Sequence, residues 1–246
     1  PGPVWAPSAI ADPVFKSMPE AMIPEQIDQV KQAFVDAAVR AGNAGFHGIQ
    51  LHAAHGYLLS QFLSPFLNKR LDQYGGTTRN RGRLIVEILS DIRQRVPEDF
   101  IIGIKINGTD GVKGGLELSE TIEILKILQE KGLDFIEMSG GIAEVRNCTV
   151  KPKIVPGEDE GYFRQYAKAV RRSLRLPVST VGGFRSLETI EETIASGDAD
   201  MVSLCRPLIR EPDLIRKFRS GRQLSECVSC SRCLSPRGLT CWQLKS

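Results

Sequence analysis

Short apolar segments and longer amphipathic ones take turns along most of this chain, and that alternation limits its possible folds more than any single residue does. After a Pro-rich opening that reads as coil, Pro24 begins a segment in which Ile27, Val30, Phe34, Ala37, Ala38 and Ala41 recur at helical spacing. Residues 46–54 then read as a strand, 79–96 as a helix, 101–107 as a strand, 119–131 as a helix and 135–139 as a strand. Helix 161–174, strand 178–181, helix 187–196, strand 201–204 and a helix opened by Pro212 continue the series. Strands rich in Val, Ile and Leu, and too far apart for hairpins, predict parallel pairing through helical crossovers. The fold class is α/β.

Two parallel architectures share this plan. A (β/α)₈ TIM barrel takes about 250 residues and eight strands, whereas five strands are legible here, the first preceded by a full helix. That count points to about five C-terminal βα units of a barrel, with an N-terminal portion lacking. The competing architecture is an open, doubly wound sheet in which the first helix caps an edge. Alternation alone leaves both open. Residues 1–220 are expected to form the partial barrel and residues 221–246 a separate Cys-rich tail.

A net charge of +3, with Lys and Arg spread through the helices, argues against nucleic acid or an anionic membrane as partner. No run approaches the roughly 18 to 20 apolar residues that cross a bilayer, and the opening lacks the charged start and apolar stretch of a signal peptide. A soluble cytoplasmic protein acting on a small molecule is expected. Four of the six cysteines, Cys227, Cys230, Cys233 and Cys241, crowd into the tail, while Cys148 and Cys205 stand alone. Such crowding suggests metal or redox chemistry rather than a disulfide framework.

His52, His55 and Tyr57 fall within six residues, where an apolar strand gives way to a loop. Side chains alternate along a strand, so Gln50 and His52 share one face while Ile49 and Leu51 share the other. The same parity puts Gly103, Lys105 and Asn107 opposite Ile102, Ile104 and Ile106. In a barrel the polar set would point inward near the C-terminal rim, where active sites of this fold sit. Two neutral imidazoles converging on one carbonyl or phenolic oxygen can polarise it, and a tyrosine hydroxyl can deliver a proton. The plainer alternative makes His52 a satisfied interior histidine, His55 a loop cap and Tyr57 an ordinary packed aromatic; the isolated pair favours it. Metal ligation ranks below oxygen binding, because the nearby acids, starting with Asp72, form no obvious ligand set.

The run HAAHGYLLSQFLSPFLNKRLDQYGG, followed by TRNRGRLIVEIL, resembles the Old Yellow Enzyme family of flavin mononucleotide (FMN) dependent oxidoreductases. The resemblance extends from about Pro7 to Pro212 and implies a (β/α)₈ barrel. By position it implies that His52 and His55 hydrogen-bond a substrate carbonyl oxygen or an inhibitory phenolate, and that Tyr57 protonates the substrate's α carbon. It further implies hydride transfer from NADH or NADPH through the flavin to the β carbon of an activated alkene. Lys105 matches a basic residue beside the flavin ring; its alternative is an ion pair with the inward-facing Glu137. Gly182 and Gly183, in a turn after a strand, and Arg206, a forked cationic donor, match turns that hold the FMN phosphate. Two positions depart from the family pattern. Gln50 stands where many relatives have Glu, and Cys205 stands where relatives often have Gly before the phosphate arginine.

The tail spacing Cys-x₂-Cys-x₂-Cys-x₇-Cys resembles the cluster-binding segment of larger members of the family, although their last gap is longer. It implies an iron–sulfur cluster, with zinc or free thiols as alternatives. The expected partners are a small-molecule enone and further copies of the chain in a homo-oligomer. The rival expectation is a fragment without catalytic activity that acts as a partner-binding or structural piece.

Overall fold

A computed structural model describes residues 2–11, 17–142, 149–235 and 238–245. Cys148 lies outside the described residues. Five strands, β3 (Gly48–Ala53), β4 (Ile101–Asn107), β5 (Phe135–Ser139), β6 (Val178–Thr180) and β7 (Met201–Val202), form one parallel sheet in that order. Each strand pairs with its neighbour in sequence, so the sheet contains no reversal of strand order. A doubly wound sheet requires such a switch point, whereas sequential order is how barrel strands follow one another. The sheet is an arc of a (β/α)₈ barrel.

Before the sheet come β1 (Trp5–Ala6) and β2 (Glu20–Ala21), then α1 (Pro24–Asn43). The strands are joined through α2 (Leu58–Leu63) and α3 (Thr78–Arg93), then α4 (Leu118–Glu130), α5 (Arg164–Ser173) and α6 (Leu187–Ala195). After β7 follow α7 (Arg206–Arg210), α8 (Leu214–Arg219), the antiparallel pair β8 (Leu234–Ser235) and β9 (Gly238–Leu239), and a 3₁₀ turn at Trp242–Lys245. Helix starts follow local chemistry. Thr77 Oγ1 accepts the N–H of Asn80 at the head of α3, and the Gln26 side chain accepts the N–H of Ile23 before α1.

The opening that reads as coil holds a short parallel pair, Trp5 to Glu20 and Ala6 to Ala21. Two residues per strand are too few to carry a period-2 signal. The short helices α2 and α7 escape helical periodicity for the same reason.

Register separates two faces. Leu51, Ile104, Ile136 and Val178 pair across the sheet in one row, and Ala53, Ile106 and Met138 in another. All are buried with helix residues such as Ile85, Leu89 and Leu125. Along the other face, His52 pairs with Lys105, Lys105 with Glu137, and Glu137 with Ser179. The apolar set is thus given to the helices and the polar set to the opposite face, as strand parity predicts. Gly103 interrupts the polar face because a side chain there would strike the Phe135 ring, 2.1 Å from an added Cβ.

The tail is sewn to the barrel. Glu211 accepts from the Ser225 hydroxyl (2.8 Å) and from the N–H of Glu226 (2.6 Å), and Ser225 N–H donates to the Arg185 carbonyl.

Candidate functional site

At the C-terminal end of β3 the chain turns sharply through two left-handed residues, His55 (φ 65°) and Gly56 (φ 80°). A non-glycine residue at positive φ is uncommon and persists where surrounding contacts hold it. Here the His55 N–H donates to Asn107 Oδ1 (3.2 Å), and its ring Nε2 lies 2.6 Å from Ser139 Oγ. Asn107 and Ser139 end β4 and β5 and are both buried, so three adjacent strand ends fix this imidazole. The turn brings three rings together. His52 lies 5.4 Å from His55 and 5.0 Å from Tyr57, centroid to centroid. Tyr57, 61% exposed, opens α2.

Burial, helped by the positive charge of Lys105 and by His52, pushes the His55 pKa down to about 4. Partial burial and then Lys105 lower His52 as well. At neutral pH, imidazoles shifted in this direction are neutral, the form that donates one hydrogen bond and accepts another.

Lys105 makes the ion pair that parity allows, with Nζ 2.7 Å from Glu137 Oε1. Gln50 Nε2 donates to the other carboxylate oxygen at 3.0 Å. Burial alone would raise the Glu137 pKa, but the bond and charge of Lys105, with Gln50 and Ser203 behind them, win and hold the carboxyl below its usual value. Gln50 suits this neighbour, since an amide donates to the carboxylate where a second carboxylate would repel it.

A cleft of about 220 Å³ runs along this polar face; His55, Lys105, Ser139, Gly183, Cys205 and Arg206 are among its walls. His55, expected for oxygen recognition, and Gly183, Cys205 and Arg206, expected for phosphate binding, therefore meet at one cavity although they follow three different strands, β3, β6 and β7; His52 and Tyr57 are not among its walls. Gly182 is placed differently from the expectation. It does not line the cleft; its carbonyl accepts from the N–H of Gly161 (2.6 Å) and of Tyr162 (3.3 Å). Gly183, at φ 79°, fits only as glycine, since an added Cβ would stand 2.9 Å from the Tyr162 ring.

Arg206 is also busier than expected. Its Nη1 donates to the carbonyls of Lys151 (2.9 Å) and Ser229 (3.3 Å) and to Ser231 Oγ (2.9 Å), tying the tail to the cleft wall. Among the described residues, Nε and Nη2 make no hydrogen bond. Cys205 forms the exposed N-cap of α7, with no side-chain cap bond.

Cys227 and Cys241 are buried, Cys230 and Cys233 half-buried, and all four are free thiols. Burial and then the neighbouring Cys227, Cys230 and Cys241 push the Cys233 thiol pKa up. Yet among the described residues no three His, Cys, Asp or Glu side chains are grouped so as to hold a metal ion. The Cys230 sulfur is engaged instead by Trp242 Nε1 at 3.0 Å.

Ser139 stands out only in the structure, whereas the Glu137 carboxylate is the ion-pair partner that strand parity offered Lys105. Ser139 carried one signal, inward parity at a strand's C-terminal end, but no motif marks it.

The family model for the NADH:flavin oxidoreductase / NADH oxidase family matches residues 4–225. An NADH oxidase of Thermoanaerobacter brockii is 38% identical over 228 residues, which cover 92% of this chain and 35% of that protein. The structure of a 2-naphthoyl-CoA reductase with 2-naphthoyl-CoA matches with a TM-score of 0.84 and 31% identity, covering 94% of this chain and 34% of that one. An Old Yellow Enzyme homologue from Zymomonas mobilis shares the fold, with a TM-score of 0.75, 24% identity, and 97% of this chain and 67% of that one covered. The chain spans about a third of the length of the first two. A match over this much of the chain, on a barrel arc whose polar face carries the HAAHGY turn, shows that the chain belongs to the NADH:flavin oxidoreductase / NADH oxidase family, the Old Yellow Enzyme family that this turn resembles.

Proposed function

We propose that this chain carries the substrate-oxygen and phosphate ends of an FMN-dependent oxidoreductase that uses NADH or NADPH to reduce the activated C=C bond of an α,β-unsaturated carbonyl compound. The carrying observation is that His55, Lys105, Gly183 and Arg206 line one cleft, with the His52 ring in contact with both His55 and Tyr57.

The donor set fits FMN. Gly183 lines the cleft with a backbone that no side chain shields, and Arg206 has Nε and Nη2 unused among the described residues. Lys105 would be the cation nearest the flavin ring, and bound FMN would supply the hydride chemistry that links the nicotinamide to the alkene. His52 and His55, as neutral imidazoles, donate hydrogen bonds to the carbonyl oxygen and stabilise the negative charge that grows there. Tyr57 O–H delivers the proton to the α carbon. Cys205 and Gly182 support the phosphate turn through their backbones.

Two measurements test this. The chain, or a longer form containing it, should bind FMN and show the flavin's visible absorption. Tyr57→Phe should then slow the alkene half-reaction by about 10²-fold or more while leaving flavin reduction by NAD(P)H unchanged. Equal slowing of both halves would remove Tyr57 as proton donor, and failure to bind FMN in any form would sink the enzyme.

For the tail, the spacing Cys-x₂-Cys-x₂-Cys-x₇-Cys supports a second, smaller reading: Cys227, Cys230, Cys233 and Cys241 are ligands of an iron–sulfur cluster or zinc. The spacing favours it; the described geometry does not yet bring three ligands together.

A further inference from the structure

The hydroxyl of Ser139 has no part in the roles assigned so far, yet it makes one of the shortest side-chain contacts at the site. Ser139 is 1% exposed, and its Oγ lies 2.6 Å from His55 Nε2. His55 cannot easily move away. Its backbone is held by Asn107 Oδ1 and by a bridge to Ile142, in a left-handed conformation.

A neutral imidazole carries one N–H and one lone pair, and the partner of one nitrogen decides where the proton sits. Two arrangements satisfy the 2.6 Å contact. If Nε2–H donates to Oγ, Nδ1 keeps a lone pair and cannot donate to a substrate oxygen, and the proton of this 1% exposed serine finds no protein acceptor among the described residues. Leaving a buried donor unmet is costly. If Oγ–H donates to Nε2, both groups are satisfied and Nδ1 carries the proton. Nδ1 makes no hydrogen bond among the described residues, and His55 lines the cleft. The depressed basicity of His55 agrees, because a ring that stays neutral keeps this distinction at neutral pH.

We propose that Ser139 is a positioning residue whose hydroxyl holds His55 in the Nδ1–H tautomer, so that this N–H is the donor offered to a carbonyl or phenolate oxygen in the cleft. The purpose of the device rests on the proposed oxidoreductase function; the tautomer itself is a property of this chain.

The test is ¹⁵N NMR of the chain labelled at its three histidines, with signals identified through His47→Gln and His52→Asn. At pH 7.5 His55 should show a protonated Nδ1 and a bare Nε2. Ser139→Ala should lose the Nδ1–H pattern in favour of Nε2–H, the form that free imidazole side chains prefer in water. Ser139→Thr, which keeps the hydroxyl, should retain Nδ1–H. An Nε2–H ring in the unaltered protein would overturn the proposal by itself, even if Ser139→Ala failed to fold. An unchanged Nδ1–H ring in Ser139→Ala would overturn it too. FMN binding and enone reduction are separate measurements, so a chain that shows the tautomer switch but no flavin chemistry refutes the enzyme and leaves the serine–histidine pairing standing.

Discussion

Acid should weaken this fold through His55 before it reaches the carboxylates. The histidine titrates near 6.5 in an unfolded chain and at about 4 in the folded one. Between those values the unfolded state binds the proton and the folded state does not. The depressed pKa therefore contributes stability that is complete above about pH 6.5 and is lost as pH falls toward 4. Linkage puts the loss at about 2 kcal/mol by pH 5 and about 3 kcal/mol by pH 4, with a steepest slope of about 1.2 kcal/mol per pH unit. His52, lowered for similar reasons, adds loss of the same sign. Glu137 and Asp72 are held below their ordinary values, so their contributions disappear only at lower pH. Urea unfolding from pH 7.5 to 4.5 measures the slope. His55→Asn should remove most of it, because asparagine tolerates the left-handed backbone at this turn and has no proton to gain. A His55→Asn protein with the original pH slope, or a directly titrated His55 pKa near 6.5, would refute the account of burial and Lys105 acting on this ring.

The ion pair behind the histidines can be tested in the same way. Lys105 and Glu137 have side chains only 20% and 11% exposed, so Glu137→Gln should cost about 1–3 kcal/mol by leaving a half-buried ammonium unpaired. Lys105→Met combined with Glu137→Gln should recover much of that loss in a double-mutant cycle, and additive losses would mean that the pair is not coupled. In the tail, purified protein should carry iron or zinc that Cys230→Ser removes; equal metal content in both would exclude Cys230 as a ligand.

Much of the frame was legible because its signals are periodic and long. The strands at 101–107 and 135–139 match the structure at both ends, and parity placed Lys105, Asn107 and His52 on the polar face before any coordinates. What escaped lies below the length at which a period can be read: the two-residue strands of the opening and the short helices after Tyr57 and Cys205. The site divides similarly. His52, His55 and Tyr57 are close in sequence and form a legible motif. Ser139 reaches His55 across 84 positions and Glu137 reaches Gln50 across 87, contacts that exist only because β3, β4 and β5 are neighbours. Arg206 was legible as a cation near a phosphate turn, but its hold on Ser229 and Ser231 depends on where the tail is sewn down, which no local pattern encodes.

The charges along the polar face are arranged so that each part needs the next. Burial first, and Lys105 after it, disfavours the charged form of both histidines. Glu137 offsets the cost of burying that lysine, and its negative charge works against Lys105 at both rings. With a glutamate at position 50, a second carboxylate would face Glu137, favour protonation of one of the two and draw the histidines toward their charged form. Gln50 avoids this by donating to Glu137 rather than repelling it. Gln50 therefore favours neutral imidazoles on this face, and only a neutral imidazole has a tautomer for the proposed Ser139 contact to set.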